Sequence, residues 1–542
     1  MLAASQNNSA SLFSQRTVLV IDDIASMRNQ LTKSLSVFGF ERIWAVGGSQ
    51  EALAQIAKTH FDLILCDYHL GEETSGQQFL EHLRARHVID ANTAFVIVTA
   101  RRAYEDVMRV AEHAPDDYLV KPYTNGQLES RIAKVLEKRE RFAPVNAAME
   151  SRDWSNAVRY CNAIIAARDR YAVDAMKIKG QALFNGEQYI EAEALYRQVL
   201  AERPLAWARL GLARVLKAMN SLDRAEAELI AIIAEGRKNS ATERMGAYDE
   251  LVDVLQATRR NSEALAVLED AMNASPGTLA RNRKLTRLAF SEGKLELAEK
   301  TARKIAAEQM HSDIKEVGDF LLAAEVLSAA GKGPDALAIV EEAKDCFQDQ
   351  RALQALTVAE GNAHVTMGAT AVAHKLFQSI DAASIAAMDP ETAAALGKGL
   401  YRVGDQEEGE KILKHLVQNH PDDPTIARTV QDAMASVGLH EQARNFVETS
   451  LREAAEINNE GVRLAYADRL QEAIELLTRA ADAAPGNLQF VSNAALVIAL
   501  ALSKKKIDRN MIEVCLRYRK LLAKREPRHP KLEQIDYLLK LI

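Results

Sequence analysis

The 542-residue sequence predicts two architectures in succession, an α/β domain with a doubly wound parallel sheet and then an all-α array of helical repeats. Three observations carry that reading. Up to Arg139, five apolar runs of strand length alternate with amphipathic stretches of helical period, the pattern of a parallel sheet with helices on both faces. Beyond Arg139 every apolar pattern has helical period. Along that second part, one spacing of small and large residues keeps returning. The chain is also too long for a single core, at roughly 100–200 residues per domain.

Residues 1–15 are polar, rich in serine and asparagine, and read as a disordered start. The first strand is TVLVIDD from Thr17; RIWAV from Arg42, FDLILCD from Phe61, AFVIVTA from Ala94 and DYLVKP from Asp117 follow. Between them SMRNQLTKSLSVF, SQEALAQIAKT, GQQFLEHLRARH and AYEDVMRVAEHA are amphipathic, and LESRIAKVLEKR closes a domain spanning 16–138.

In sheets of this kind ligands bind outside the carboxyl ends of the strands. The unusual polar residues fall there: Asp22 and Asp23 end the first strand, Asp67 the third, Thr99 the fourth and Lys121 the fifth. Three carboxylates converging on one edge repel one another, so a divalent cation is the natural compensation, and an all-oxygen site suits Mg²⁺. A carboxylate can also attack phosphorus to give an acyl phosphate, helped by orientation and by neutralised charge on the transferring oxygens. Asp67, central on the third strand, is the best placed nucleophile.

The Asp22-Asp23 pair, Asp67, Thr99-Ala100 and Lys121-Pro122, four separated matches in order across residues 16–138, resemble the receiver domain of two-component response regulators, which has the flavodoxin-like sheet. The resemblance implies that Asp67 takes a phosphoryl group from a histidine kinase or a histidine phosphotransfer protein. It implies Mg²⁺ bound directly by Asp23 and Asp67, through water by Asp22, and by the backbone carbonyl of His69. It further implies that Lys121 pairs with the phosphoryl group, that Thr99 and Tyr118 are the switch residues, and that Lys121-Pro122 is cis. The loop after Asp67, YHLGEETSG, departs from the family: Gly71 stands where proline is usual, and there is an extra residue before Gly76. His69 and Arg101 occupy positions that in the family govern water access; His69 as a phosphodonor is disfavoured, being a loop side chain beside the acceptor.

Residues 139–150 contain one proline and no glycine, which predicts a stiff junction. In the repeats that follow, over 151–486, Gly461 is followed by Ala473, Leu477, Ala480 and Pro485. Gly180, Ala192, Tyr196 and Pro204 keep that spacing, as do Gly361, Ala373 and Phe377, while Gly397, Gly409, Leu413, Leu416 and Pro421 put glycine for alanine. Weaker copies centre on Ala157, Ala225, Ala264, Ala298, Ala336 and Ala443. Small residues at two positions let paired helices approach, the large one fills the groove, and proline ends the second helix. The spacing resembles the tetratricopeptide repeat, of about 34 residues, whose copies stack into a superhelical solenoid that binds proteins or peptides in its groove. Residues 487–542 read as capping helices; their basic residues, Lys504 to Lys506, Arg517, Arg519, Lys520, Lys524 and Arg525, suit a solvated cap face better than a dock for an acidic protein.

Composition excludes several classes. Aromatics are sparse at 6%, favouring close-packed helices. The net charge is −7, and residues 501–542 hold twelve Lys/Arg against five Asp/Glu, leaving −14 for the rest and disfavouring nucleic acid. Without a run of about 18 apolar residues or a signal peptide, a cytoplasmic protein with no membrane contact is expected. Cys66, Cys161, Cys346 and Cys515 are scattered and fit buried small hydrophobes rather than a zinc site or disulfides. No GxSxG, HExxH or Walker loop is present, so no enzymatic activity is expected beyond slow loss of the phosphoryl group. The expected output is contact with a downstream signalling protein through the repeats, set by packing between the face around Tyr118 and the first repeats. The alternative is a phosphate sink or inhibitor of a shared kinase relay, with the repeats only docking. The bland use of the array is as a spacer or homodimer surface.

Overall fold

A computed structural model of the chain describes residues 13–70, 75–86, 88–100, 115–235, 241–274, 279–310, 315–504, 506–507 and 510–541. The expected helix AYEDVMRVAEHA, with Arg101, Gly71 and Lys505, lies outside them. The chain divides into two compact units, Met1–Lys315 and Glu316–Ile542.

The first unit opens with a five-stranded parallel sheet: β1 Thr17–Ile21, β2 Arg42–Val46, β3 Leu63–Asp67, β4 Ala94–Ala100 and β5 Asp117–Lys121, in the order β2-β1-β3-β4-β5. That is the flavodoxin-like order. Strand alternation gives the sheet two apolar faces. On one, Val18, Val20, Leu63, Leu65, Val96 and Val98 pack on α1 Ala25–Phe38 and the start of α4 Asn125–Glu150, through Leu31, Leu35, Leu128 and Ile132. On the other, Leu19, Ile21, Ile64, Phe95 and Ile97 meet α2 Ser49–Ile56 and α3 Gly76–Ala85, through Ala52, Phe79, Leu80 and Leu83. Phe13, expected in the disordered start, is fully buried and stacks on Phe40 with ring centroids 4.6 Å apart, so order begins before the first strand.

The junction 139–150 is the second half of α4. Capping of Thr124 with Gln127 starts this helix at Asn125, and it runs without interruption to Glu150. Its first half is clothed by the sheet, and its second half by the next hairpin, where Phe142 and Val145 join Cys161, Ile164 and Ala175. The expected boundary at 138 is therefore not where the chain separates, because one helix serves two cores. Pro144 lies inside α4. It deprives the Glu140 carbonyl of its helical donor.

Helical hairpins fill the rest of this unit: α5 Trp154–Ala166 against α6 Ala172–Asn185, α7 Tyr189–Glu202, α8 Ala206–Ala218, α9 Leu222–Ala234, α10 Ala241–Ala257, α11 Asn261–Ala274, α12 Leu279–Ser291 and α13 Leu295–Met310. The second unit is made the same way: α14 Val317–Ala329, α15 Gly333–Lys344, α16 Gln350–Thr366, α17 Thr370–Gln378, the short α18 Ala382–Ala387, α19 Pro390–Val403, α20 Gln406–Asn419, α21 Pro424–Ala435, α22 His440–Tyr466, α23 Leu470–Ala483, α24 Leu488–Ser503, α25 Met511–Arg525 and α26 Pro530–Leu539.

The repeat spacing maps onto contacts. Each small residue singled out at the centre of a copy, from Ala157 through Ala473, is the fourth residue of its helix, and these alanines are buried. A Cβ on Gly180 would overlap Tyr196, one on Gly361 would overlap Phe377, one on Gly397 would come to 2.8 Å of Leu413, and one on Gly461 to 2.5 Å of Leu477. The glycine and the large residue sixteen positions on are thus a matched pair. Pro204, Pro421 and Pro485 follow the ends of α7, α20 and α23 as expected.

At the chain's end α24 is buried nearly all round, covered by α25 and α26 through Cys515, Tyr518, Leu522 and Ile535. Four of the basic residues there are engaged within the same unit: Lys504 and Lys506 with Asp468, Arg517 with Asp482 at 2.8 Å, and Arg519 with Asp536. That fits a cap. Such exposed pairs contribute about 0–1 kcal/mol each. Among the described residues no helix is long and apolar enough to cross a membrane.

Candidate functional site

The site lies at the carboxyl ends of β1, β3 and β5. Asp22 follows β1 and is fully buried; its Oδ1 accepts from the Ile24 N–H at 2.9 Å. Its Oδ2 is buried without a hydrogen-bond donor, 3.5 Å from the Lys121 ammonium. Asp67, the last residue of β3, is 7% exposed and receives Lys121 Nζ on Oδ2 at 2.6 Å and the His69 N–H on Oδ1 at 3.4 Å. Asp23 is exposed, and ligand oxygens of Asp22, Asp23 and Asp67 lie within 4.8 Å of one another. The structure thus joins the three predicted carboxylates and the predicted lysine, and Lys121-Pro122 is cis.

Thr99 is fully buried one residue before the end of β4, in register with Val120, while Ala100 is in register with Lys121. Tyr118 points to the opposite face of β5 from Lys121's neighbour Leu119, packs in the second apolar layer, and donates its hydroxyl to Gln77 Oε1 at 3.4 Å. Gln77 belongs to the first turn of α3, so Tyr118 and the helix after the acceptor loop are tied together. His69 is placed in that loop, with its ring edge-on to Tyr68.

Charge and burial set the electrostatics. Burial pushes the Asp22 carboxyl above its ordinary range, and the Asp67 carboxylate adds to this against the Ile24 N–H and Lys121. Burial beside the same two carboxylates pushes Tyr123 up to about 12. Burial likewise drives Cys66 well above the usual thiol range, which makes it inert beside the acceptor. Cys161 and Cys515 are buried as expected; Cys346 is partly exposed, against expectation.

A buried, under-satisfied carboxylate oxygen grouped with two further carboxylates offers the oxygen donors that suit a hard divalent cation, and Mg²⁺ fits them. A metal-free test follows from the sign of the Asp22 shift. A carboxyl raised above its unfolded value stabilises the fold fully below that unfolded value and loses this as pH rises through the folded one. At neutral pH, then, Asp22→Asn should raise the thermal midpoint of the metal-free protein and flatten its pH dependence just above the ordinary aspartate range. It should weaken Mg²⁺ binding by about 10–100-fold, the cost of losing a group that orients a metal's ligands. Differential scanning calorimetry and a Mg²⁺ titration read both.

Three contributors escaped the sequence reading. Arg28 donates to the Asp22 carbonyl at 2.5 Å, and a basic residue in the first turns of a helix, against the helix dipole, was the signal for it. Gly76 is indispensable because any Cβ would collide with the Asp67 carbonyl. Tyr123 lines the site just past Pro122, and nothing in a lone tyrosine distinguished it.

Residues 18–133 match the response regulator receiver domain and residues 183–243 the tetratricopeptide repeat. The phosphate regulon transcriptional regulatory protein PhoB of Escherichia coli strain K12 is 34% identical over 123 residues, 23% of this chain and 52% of PhoB. The probable transcriptional regulator ycf27 of Porphyridium aerugineum is 32% identical over 129 residues, 24% of this chain and 51% of that protein. The chain spans about half the length of the curated relatives it matches. Among solved structures, a response regulator receiver protein from Sinorhizobium medicae is 25% identical, with 23% of this chain and 96% of that one covered at a TM-score of 0.20. A tetratricopeptide repeat protein from Parabacteroides merdae is 12% identical, with 51% and 98% covered at a TM-score of 0.35.

Proposed function

We propose that this chain, a response regulator receiver domain followed by tetratricopeptide repeats, accepts a phosphoryl group on Asp67 and thereby controls what its repeats bind, with no DNA-binding output. The observation that carries the reading is the Asp67 carboxylate, nearly buried at the strand end, with Lys121 Nζ at 2.6 Å and two more carboxylates beside it.

An Asp67 oxygen attacks the phosphorus of a phosphohistidine on a kinase or phosphotransfer protein. The new P–O bond forms as the P–N bond breaks, and the imidazole leaves with its nitrogen reprotonated. Lys121 is placed to offset charge on the phosphoryl oxygens, and Thr99, buried near the end of the neighbouring β4, would offer its hydroxyl to that group. Mg²⁺ held by Asp22, Asp23 and Asp67, with the His69 carbonyl, would supply the remaining positive charge. Hydrolysis of the acyl phosphate returns the carboxylate, so the activity is that of a switch rather than an enzyme acting on other molecules.

The helical hairpins, matched to the tetratricopeptide repeat over 183–243, supply stacked helical surface, which suits a protein-binding output. Binding of the full chain to a candidate partner, compared between the beryllofluoride–Mg²⁺ form and Asp67→Asn, tests this. Affinities differing by tenfold or more support a phosphorylation-controlled adaptor. Equal affinities with fast turnover of the phosphoryl group favour the phosphate sink.

A further inference from the structure

The first domain is fastened to the helices beyond it at the end of the sheet opposite Asp67. There α4 turns one stripe, Arg139, Asn146 and Glu150, toward the loop that precedes β4. Asn146, 9% exposed, donates to Asn92 Oδ1 at 2.9 Å and to the Ala91 carbonyl at 3.4 Å. Glu150 Oε1 accepts from the Ala91 N–H at 2.8 Å. Arg139 donates to the Ala91 carbonyl and pairs with Asp116 at 2.5 Å, while its own Nε is buried without an acceptor. The grip is thus incompletely satisfied, and the orphaned buried donor carries a desolvation cost that an altered arrangement could relieve.

The same loop is held from the other side by the helix that leaves the acceptor site. α3 begins at Gly76, seated against the Asp67 carbonyl, and ends at Arg84 and Ala85. Arg84 donates to the carbonyls of Asp90 at 3.3 Å and Thr93 at 3.2 Å, and lies 3.8 Å from Asp116. Asp116 is therefore shared between Arg84 of α3 and Arg139 of α4. Beside this patch a cleft of about 960 Å³ separates Phe61, Val88 and Ile89 of the first domain from Met149 and Trp154. It leaves room for the first hairpin to reseat. Alongside the patch, α4 carries Phe142 and Val145 in the core of that hairpin, and Lys138 and Arg141 pair with Asp174 and Asp169 at 2.8 Å each.

We propose that this patch, Arg84 and Asp116 with the loop 90–92 on one side and Arg139, Asn146 and Glu150 on the other, couples the state of Asp67 to the first hairpin. A shift of α3 when Asp67 is phosphorylated changes the sharing of Asp116 and moves Trp154 relative to the cleft. The inference rests on Asp67 being the acceptor. It replaces the face around Tyr118, the expected contact with the repeats, by a path through α3 to the other end of the sheet.

The test uses the full chain with Trp44→Phe and Trp207→Phe, which leaves Trp154 as the only tryptophan. Beryllofluoride and Mg²⁺ are added, and ¹⁹F resonances of the bound fluoride report the acceptor site independently of Trp154 emission. The expected result is a bound fluoride signal with a shift in Trp154 emission. Asn146→Ala and Arg139→Gln should keep the fluoride signal and lose at least half of the emission shift, and Arg139→Lys should restore part of it. By linkage these variants also change the apparent beryllofluoride affinity several-fold. An emission shift of unchanged size in both variants overturns the coupling, as does bound fluoride without any shift in the parent. Absence of bound fluoride in the parent overturns the acceptor reading, and the coupling with it. Circular dichroism identifies a misfolded variant, and the milder Asn146→Ala then decides the matter alone.

Discussion

Asp67→Asn should reduce phosphoryl incorporation from acetyl phosphate to background. An amide nitrogen or carbonyl is no nucleophile toward phosphorus at neutral pH, and among the described residues no other carboxylate shares the placement of Asp67 against Lys121 Nζ at 2.6 Å. Asp23, exposed at the same edge, lacks that pairing. Lys121→Ala should leave the acceptor in place but slow its phosphorylation by about 100- to 1,000-fold, the usual cost of deleting one donor that stabilises developing charge. Intact-protein mass spectrometry over time reads both. Label persisting in Asp67→Asn would move the acceptor elsewhere, and Lys121→Ala at the parent's rate would remove the lysine from the chemistry.

The second large effect lies in the repeats. Phe377, 3% exposed, fills the space between Gly361 and Gly399; a Cβ on Gly361 would overlap its ring, and one on Gly399 would come to 2.5 Å of it. Phe377→Ala should therefore cost about 3–5 kcal/mol within the second unit, from lost transfer energy and the cavity left behind. Gly361→Ala sets two terms against each other. Helix propensity favours alanine by about 1 kcal/mol, and overpacking against a rigid aromatic ring costs about 1–3 kcal/mol. The clash should win. Gly318→Ala, in the first turn of α14 with nothing near a Cβ, is the control and should be neutral or slightly stabilising. Urea denaturation followed by hydrogen exchange of peptides from Glu316–Ile542 compares the three. A Gly361→Ala protein as stable as the control would contradict the close helix approach.

These two predictions mark what could be read without coordinates. Asp22, Asp67, Thr99 and Lys121 were legible because charged or hydroxyl residues at strand ends stand out against apolar runs, and a parallel sheet brings strand ends to one edge. Phe377 and its glycine were legible because a contact between paired helices of fixed length recurs at a fixed sequence interval. The continuity of α4 was not. Its period changes partner at about Phe142, from sheet to hairpin, and a proline at 144 looks like a break although the helix continues through it. Phe13 was hidden among polar neighbours, since one aromatic in a serine-rich stretch carries no periodicity. The patch at Asn92 and Asp116 was invisible too. It joins ordinary loop polar residues to a helix far along the chain, and only the fold shows that Arg84 and Arg139 share one carboxylate.

The central claim is that the state of Asp67 is felt beyond the receiver domain. Hydrogen–deuterium exchange on the full chain, with and without beryllofluoride and Mg²⁺ and with Asp67→Asn as reference, tests it most directly. The account predicts altered protection in α3, in the loop 90–92 and onward through the second half of α4 and α5, absent in Asp67→Asn. Changes confined to residues 16–138, with every peptide past α4 unaltered, would contradict it.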